Sequence, residues 1–149
     1  KFRIEDSLCA SRAALEEGIV SGGGVLFVRA SKFLQKNNKK FSDEELIGRN
    51  IIIKALLEPL KTIAFNAGLE GAEIIANIIQ KDDVNFGYDF LKNEYGNLMD
   101  MGVIDPAKVL RLCLENAASV AGMLLSTEAT IVEEASDEVV YRPPKGKSE

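Results

Sequence analysis

The sequence contains no histidine and no tryptophan among its 149 residues. Without histidine, the chain lacks the side chain that most often serves as a general base and a metal ligand near neutral pH. Any proton transfer must therefore depend on carboxylates, lysine, tyrosine or cysteine. The net charge of −5 also argues against a nucleic-acid partner, because a nucleic-acid-binding surface usually needs a basic face.

Cysteine is scarce, and long apolar runs are missing. Cys9 and Cys113 lie in apolar helical stretches without metal-ligand spacing. We therefore expect buried free thiols in a reducing compartment, with a disulfide as the alternative. No uncharged apolar run of about 18 residues occurs, so no membrane span is expected. The N-terminal residues have no signal-peptide character and resemble the interior of a longer chain.

Helical patterns account for most of the sequence. With 46% hydrophobic residues, the chain can form a sizeable core. A capping box over residues 42–45 begins a long helix in which Ile47 and Ile51 are expected to be buried, and Pro59 predicts a break near Leu56. Helices are predicted over residues 5–17, 25 to about 35, 43–67, 71–80 and 106–126.

The C-terminal third combines a helix with short β segments. Asp105 is predicted to be the N-cap of the last helix, with Pro106 at its first position. The second half of that helix is apolar nearly all round, which predicts burial on most sides. The fold class is therefore mainly α, with two β features and a disordered tail: a hairpin from residues 86–89 and 96–101, a strand without an internal partner over residues 129–134, and the tail over residues 135–149.

Three consecutive glycines, Gly22, Gly23 and Gly24, precede the second predicted helix. Glycine lets the backbone approach a ligand closely, and a following helix offers free N–H groups and the positive end of its dipole. The run is neither a Walker loop nor a dinucleotide-binding fingerprint. It can therefore be an anion or nucleotide site, or a tight connection between closely packed elements.

The carboxylates and aromatic residues also allow two readings each. Asp6, next to Glu5, can orient a water molecule or hold Mg²⁺, or it can complement the dipole of the first helix. Asp105 can accept hydrogen bonds from a ribose, or it can be an ordinary N-cap. Three aromatic residues can line a base pocket or pack a small hairpin: Tyr88, Phe90 and Tyr95.

Taken in order, three runs resemble one family, the group I (GroEL-like) chaperonins. Residues 3–24 contain the acidic pair, an Arg-Ala-Ala segment and the sequence Glu-Glu-Gly-Ile-Val-Ser-Gly-Gly-Gly. Residues 94–109 read EYGNLMDMGVIDPAKV, and residues 116–123 read NAASVAGM. The resemblance extends over residues 1–134.

The resemblance implies a division of the chain into three parts. Residues 1–17 would be the returning segment of the intermediate domain, residues 18–134 the C-terminal half of the equatorial ATP-binding domain, and residues 135–149 a tail. In this family the apical domain and the N-terminal equatorial half, which carries the phosphate loop and the Mg²⁺ carboxylate, come from other parts of the subunit. The strand over residues 129–134 would join an inter-subunit sheet.

The resemblance also implies roles for individual residues. Asp6 would help to position the water that attacks ATP, Gly22 and Gly23 would form the turn that meets the nucleotide, and Asp105 would bind the ribose. Mg²⁺ would be held mainly by residues outside this chain. The family's Asn-Ala-Ala stretch, which contacts adenine, is replaced here by bulkier or charged residues that would reshape the base pocket: Asp89, Phe90 and Leu91.

The expected complete protein is an ATP-hydrolysing chaperonin that forms a homo-oligomeric ring. Its partners would be unfolded client proteins and a co-chaperonin, which binds through the apical domain. The tail lacks the Gly-Gly-Met repeats of many family members, which favours the matrix or stroma of a mitochondrion or plastid, with the cytoplasm as the alternative to these organelles. A different hypothesis is an interaction module or fragment without turnover, because half of the ATP site is not in this sequence.

Overall fold

The structure, a computed structural model, describes residues 2–37 and 41–131. Within these ranges the chain is mainly helical, as the sequence predicts, and its strands form two separate antiparallel pairs, β1 with β4 and β2 with β3. None of the helices in these ranges is both long and apolar enough to cross a bilayer. In chain order the elements are α1 (Phe2–Glu17), β1 (Ile19–Ser21), α2 (Val25–Lys36), α3 (Asp43–Ala55), α4 (Glu58–Asn66), α5 (Gly71–Gln80), β2 (Phe86–Asp89), β3 (Glu94–Asn97), β4 (Ile104–Pro106) and α6 (Ala107–Leu125).

The predicted long helix is divided into α3 and α4, as its proline led us to expect. At the start of α3, Ser42 Oγ accepts a hydrogen bond from the Glu45 N–H at 3.3 Å, and the Glu45 carboxylate accepts one from the Ser42 N–H at 2.8 Å. The predicted capping box is therefore confirmed. The break separates Ala55 from Glu58, because Pro59 has no N–H to donate to the carbonyl of Ala55.

The hydrophobic core lies between α2, α4 and α5, and the turn after β3 adds one residue to it. Apolar burial of this kind is the main source of stability in a domain of this size. The core begins at the first residue of α2, so the glycine run before α2 rests directly on it. The buried members are Val25, Val28, Leu60, Ala64, Ile74, Ile75, Ile78 and Leu98.

Two burial predictions for α3 are wrong in this structure. The side chains of Ile47 and Ile51 are 64% and 62% exposed, whereas Ile53 and Leu56 are buried. The main packing partner of α3 within the described residues is α2. Only one side of α3 is therefore covered, and its second apolar side faces solvent.

The last helix is also exposed, against the prediction from its apolar composition. No residue of α6 is buried, and Val120, Met123 and Leu124 are each more than half exposed. Its main packing partners in the described part of the chain are α1 and β4, which leave most of its apolar surface uncovered. Cys113 on α6 and Cys9 on α1 are free thiols, as predicted, but both are exposed rather than buried.

The start of α6 differs by one residue from the prediction. Pro106, not Asp105, is the N-cap, and no side-chain hydrogen bond caps the helix. Asp105 lies in β4, opposite Val20 of β1, in a strand pair that the sequence did not predict. The Ala107 N–H donates to the carbonyl of Gly18 at 3.1 Å and extends this pairing into the helix. Because Asp105 pairs with β1, it is a strand residue and not the helix N-cap that an Asp-Pro sequence usually predicts.

The predicted strand over residues 129–134 falls partly outside the described residues. Residues 129–131 have no regular secondary structure, and residues 132–134 lie beyond the described range, as does the predicted tail over residues 135–149.

Ionic contacts attach the end of α1 to the first turns of α6. Arg111 Nη2 donates to Glu17 Oε1 at 2.6 Å, and Arg111 Nε donates to Glu17 Oε2 at 3.0 Å. This bidentate hydrogen bond from Arg111 lowers the pKa of Glu17 below its ordinary value. Lys108 and Glu16 form a second ion pair between the same helices. These contacts set the direction in which α1 leaves the rest of the chain.

Candidate functional site

The three glycines form a tight turn between β1 and α2. Gly23 and Gly24 have φ angles of +63° and +77°, a left-handed conformation that favours glycine. A Cβ on Gly24 would lie 3.1 Å from the backbone nitrogen of Leu60, so the turn also needs glycine to pack against α4. The Gly22 N–H donates to the carbonyl of Val103 at 2.9 Å and fixes the turn to the residues before β4.

Asp105 lies beside this turn because β4 pairs with β1. A Cβ on Gly22 would lie 3.3 Å from Asp105 Cγ and Oδ2, so the carboxyl group lies next to Gly22 and leaves no free space for a larger residue there. Asp105 is half-buried, and this burial raises its pKa above the ordinary aspartate value. The strand pair thus brings two predicted site residues, Gly22 and Asp105, into contact.

The hairpin of β2 and β3, predicted from the sequence, forms a wall over the glycine turn. Its strands pair with Gly87 opposite Gly96. A Cβ on Gly23 would lie 3.8 Å from the carbonyl oxygen of Tyr88 and 4.0 Å from Phe90 Cε2. The Tyr88 and Phe90 rings pack edge to face, with centroids 5.1 Å apart. Phe90 is therefore held beside the turn, where it can border a bound base.

The other two predicted base-contacting residues are arranged differently. Asp89 is 5% exposed, and its Oδ1 accepts hydrogen bonds from the N–H groups of Leu91 and Lys92 at 2.8 and 3.2 Å. Its Oδ2 lies 3.9 Å from Lys92 Nζ. The carboxylate thus stabilises the turn between the strands. The side chain of Leu91 is 90% exposed, so of the three residues Phe90 is the one placed at the glycine turn.

Asp6 lies on α1, on the side of the helix that faces Asp105. Ala10 and Ala14 line a cleft of about 190 Å³ whose opposite wall includes Ile104 and Asp105. Asp6 precedes Ala10 by one helical turn, about 6 Å along the axis, and therefore shares its face. The Asp6 side chain is exposed. Asp6 therefore lies one helical turn before the residues of α1 that line the cleft, and its role stays a prediction.

No group of three or more histidine, cysteine, aspartate or glutamate side chains within residues 2–37 and 41–131 is placed to hold a metal ion.

The pairing of β1 with β4, which brings Gly22 close to Asp105, was not predicted from the sequence. Its strands have three residues each, too few for an alternating pattern to be recognised.

Comparisons with known proteins identify the family of this chain. The model of the TCP-1/cpn60 chaperonin family matches residues 1–135. A protein named Chaperonin GroEL from Methanospirillum hungatei JF-1 is 52% identical over 133 residues, which cover 89% of this chain and 24% of that protein. The crystal structure of a group III chaperonin in the open state superposes with a TM-score of 0.73 at 31% identity, over 80% of this chain and 25% of the other. The chain, which spans about a quarter of the length of both relatives, belongs to the TCP-1/cpn60 chaperonin family.

Proposed function

We propose that this chain is the C-terminal part of a chaperonin subunit whose complete form binds and hydrolyses ATP and assists protein folding. The observation that carries the proposal is the contact between the glycine turn and Asp105, with Phe90 beside Gly23. The sequence relative is named a chaperonin and is about four times as long as the matched segment. The rest of the ATP site would therefore come from parts of the subunit outside this chain.

The proposal assigns the chain to two domains of the subunit. Residues 1–17, with α1, would belong to the intermediate domain, and residues 18–134 to the equatorial domain. The N-terminal half of the equatorial domain would cover the apolar faces of α3 and α6. The complete protein would assemble with like subunits in a ring and act on unfolded client proteins, with a co-chaperonin bound at an apical domain outside this chain.

The glycine turn would receive the phosphates. Its residues immediately precede α2, and the N-cap residue Gly24 makes no side-chain cap hydrogen bond. The Val25 N–H donates to the carbonyl of Gly22 at 3.2 Å. The next N–H groups of α2, those of Leu26 and Phe27, and the positive end of the helix dipole would be offered to an anion. The left-handed Gly23 is not fully buried, and its lack of a Cβ would let a phosphate oxygen approach the backbone.

Two carboxylates and one ring would complete the contacts from this chain. The Asp105 carboxylate would accept hydrogen bonds from ribose hydroxyls, and the Phe90 ring would border the base. Asp6 would accept a hydrogen bond from the attacking water and orient it in line with the γ-phosphate. The described carboxylates form no cluster that fits Mg²⁺. We therefore assign no step to the metal and propose that its ligands lie elsewhere in the subunit.

Replacing Asp105 by alanine in the full-length subunit should raise the Kd for ATP about tenfold or more. A hydrogen bond to a charged group contributes about 1.5–3 kcal/mol, and each 1.4 kcal/mol is about a tenfold change in affinity. Asp105→Asn, which keeps one acceptor oxygen, should give an intermediate Kd. Isothermal titration calorimetry measures both values.

Asp100→Ala is the matched control for this experiment, because Asp100 is an exposed aspartate in the turn after β3. Its Kd for ATP should equal that of the wild-type protein. An unchanged Kd in Asp105→Ala, with the fold intact by circular dichroism, would contradict the assignment of Asp105 to the nucleotide site.

We also propose an alternative of a different class, an interaction module without turnover. The observation that favours it is an apolar groove of about 600 Å³, whose walls come from α2, the α3–α4 region and α6. An ATPase assay on the full-length subunit distinguishes the two proposals, because Asp6-dependent turnover there would exclude the alternative. The residues that line the groove are Phe27, Ile51, Ile52, Ala55, Leu56, Pro59, Cys113, Leu114, Ala117, Ala118 and Ala121.

A further inference from the structure

The hairpin wall is attached to α2 at two places. The first is an apolar contact at the start of α2. A Cβ on Gly87 would lie 2.5 Å from Leu98 Cδ1 and 2.6 Å from Val25 Cγ2, so β2 packs without a gap against Val25. This contact brings the hairpin to the glycine turn, because Val25 directly follows Gly24. It contains no directional interaction that fixes the angle of the hairpin.

The second attachment is polar and is centred on Arg29, one helical turn after Val25. Arg29 Nη1 donates to the carbonyl of Lys81 at 2.7 Å, and Nη2 donates to the carbonyls of Asp83 and Phe86, the latter at 3.4 Å. The carbonyls of Lys81 and Asp83 belong to the segment that joins α5 to β2, and that of Phe86 belongs to the first residue of β2. A planar guanidinium can bind several acceptors in a fixed relative geometry. It therefore fixes the orientation in which β2 begins.

Lys32, on the same face of α2, extends this attachment to the end of α5. Its Nζ donates to the carbonyl of Ile79 at 2.6 Å and lies 3.7 Å from Asp82 Oδ1. The last carbonyls of a helix have no partner within the helix, and the negative end of the dipole favours a cation there. The two cations thus bind consecutive parts of the segment from residue 79 to residue 86.

The segment held by Arg29 begins with residues that lie at the surface. Residues 81–84 are all exposed, including the apolar Val84. The Arg29 guanidinium is partly withdrawn from water, since its Nε is buried and has no acceptor among the described residues. Burial lowers the pKa of Arg29, and the nearby charges of Asp83 and Asp82 act in the opposite direction. The carbonyl oxygens replace solvent around the charge.

From these contacts we infer that Arg29 is a positioning residue for the nucleotide pocket, which holds the hairpin wall and Phe90 against the glycine turn. The inference rests on the proposed ATP-binding function. Arg29 does not touch the glycine turn or Asp6 in this arrangement. It acts through the Lys81, Asp83 and Phe86 carbonyls on the start of β2, and through β2 on Phe90.

The test uses the full-length subunit with Arg29→Met and Arg29→Lys. Arg29→Met keeps most of the side-chain volume but removes all donors, and it should raise the KM for ATP about tenfold with kcat within about twofold. Arg29→Lys keeps the charge but not the fork of donors, and it should give an intermediate KM. Hydrogen exchange of the amides in residues 86–97 should become faster in Arg29→Met.

Arg49→Met is the matched control. Arg49 binds carbonyls at the far end of α2, those of Leu34, Gln35 and Asn37, so it has the same chemistry without contact with the hairpin. Arg49→Met should lower the melting temperature by about as much as Arg29→Met. The KM for ATP and the rate of hydrogen exchange in residues 86–97 should stay unchanged.

Two results would overturn the inference: an unchanged KM in Arg29→Met, or an equal rise in KM in Arg49→Met, which would indicate a general loss of stability. Wild-type protein that binds no ATP would instead overturn the proposed function itself, before either variant is compared.

Discussion

Replacing Asp6 by alanine in the full-length subunit should reduce the rate of ATP hydrolysis about 100- to 10,000-fold, the usual contribution of a positioned proton acceptor. The Kd for ATP should change little, because Asp6 belongs to α1, whose residues Ala10 and Ala14 line the cleft together with Asp105, and Asp6 is not itself among the lining residues. The loss should therefore appear in kcat. Single-turnover hydrolysis with saturating ATP measures it directly.

Glu5→Ala is the control for this prediction. Glu5 is the neighbouring carboxylate on α1, and consecutive residues on a helix point about 100° apart. Glu5 therefore does not share the face of Ala10 and Ala14, and its removal should leave kcat within about twofold. Equal losses in the two variants would indicate an effect of α1 stability. Full activity in Asp6→Ala would contradict its assigned role.

Replacing Leu60 by alanine should destabilise the chain by about 2–5 kcal/mol, the range for a leucine truncated in a packed core. Leu60 is fully buried in the core formed by α2, α4 and α5. A Cβ on Gly24 would lie 3.2 Å from Leu60 Cβ, so the cavity left by the truncated leucine would form in the part of the core that packs against the glycine turn. Urea unfolding of the chain, followed by circular dichroism, measures the free energy of unfolding.

Phe65→Ala is the matched control, because Phe65 lies on the same helix as Leu60 but its side chain is 81% exposed. It should change the free energy of unfolding by no more than about 0.5 kcal/mol. If the two variants were equally stable, Leu60 would not lie in the core of the folded chain, and the packing described for the glycine turn would be wrong.

Local signals in the sequence predicted much of the helical structure. The Ser42 capping box, the break before Pro59 and the bounds of α5 are all confirmed. Each of these features depends on neighbouring residues alone, through capping hydrogen bonds, a missing N–H or a short apolar period. A hairpin was also predicted from the short, turn-rich segments 86–89 and 96–101. Its first strand is confirmed, but the second lies at Glu94–Asn97, because the strands pair closer to the turn.

Features that depend on distant parts of the chain were not predicted. The Asp105-Pro106 sequence is typical of a helix start, but pairing with β1 overrides that local preference. The apolar composition of α6 and of one side of α3 predicts burial, and in this chain those surfaces are exposed. An apolar helix face predicts burial, but it does not say which part of the protein covers that face. In our proposal the covering elements would belong to another part of the subunit.

The candidate site was predicted in part, and mainly from resemblance. Spacing alone does not place Gly22 beside Asp105, because the two residues are brought together by strands too short to recognise. Phe90 lies beside Gly23, and its contact with a base stays a prediction. The sequence does contain a signal for the role of Asp89 in its own turn. Aspartate side chains commonly accept hydrogen bonds from the backbone two residues later, as Asp89 does from the Leu91 N–H, and asparagine, here Asn93, tolerates a positive φ in turns.

The most direct test of the account is a comparison of ATP hydrolysis by the 149-residue chain and by the full-length subunit at equal molar concentration. We predict that the full-length subunit hydrolyses ATP in an Asp6-dependent way and that the chain alone does not hydrolyse it. Phosphoryl transfer needs preorganised metal and phosphate contacts, and the described residues include no metal-binding cluster. Turnover by the chain alone at the rate of the full-length subunit would contradict the proposal that the ATP site is completed by the rest of the subunit.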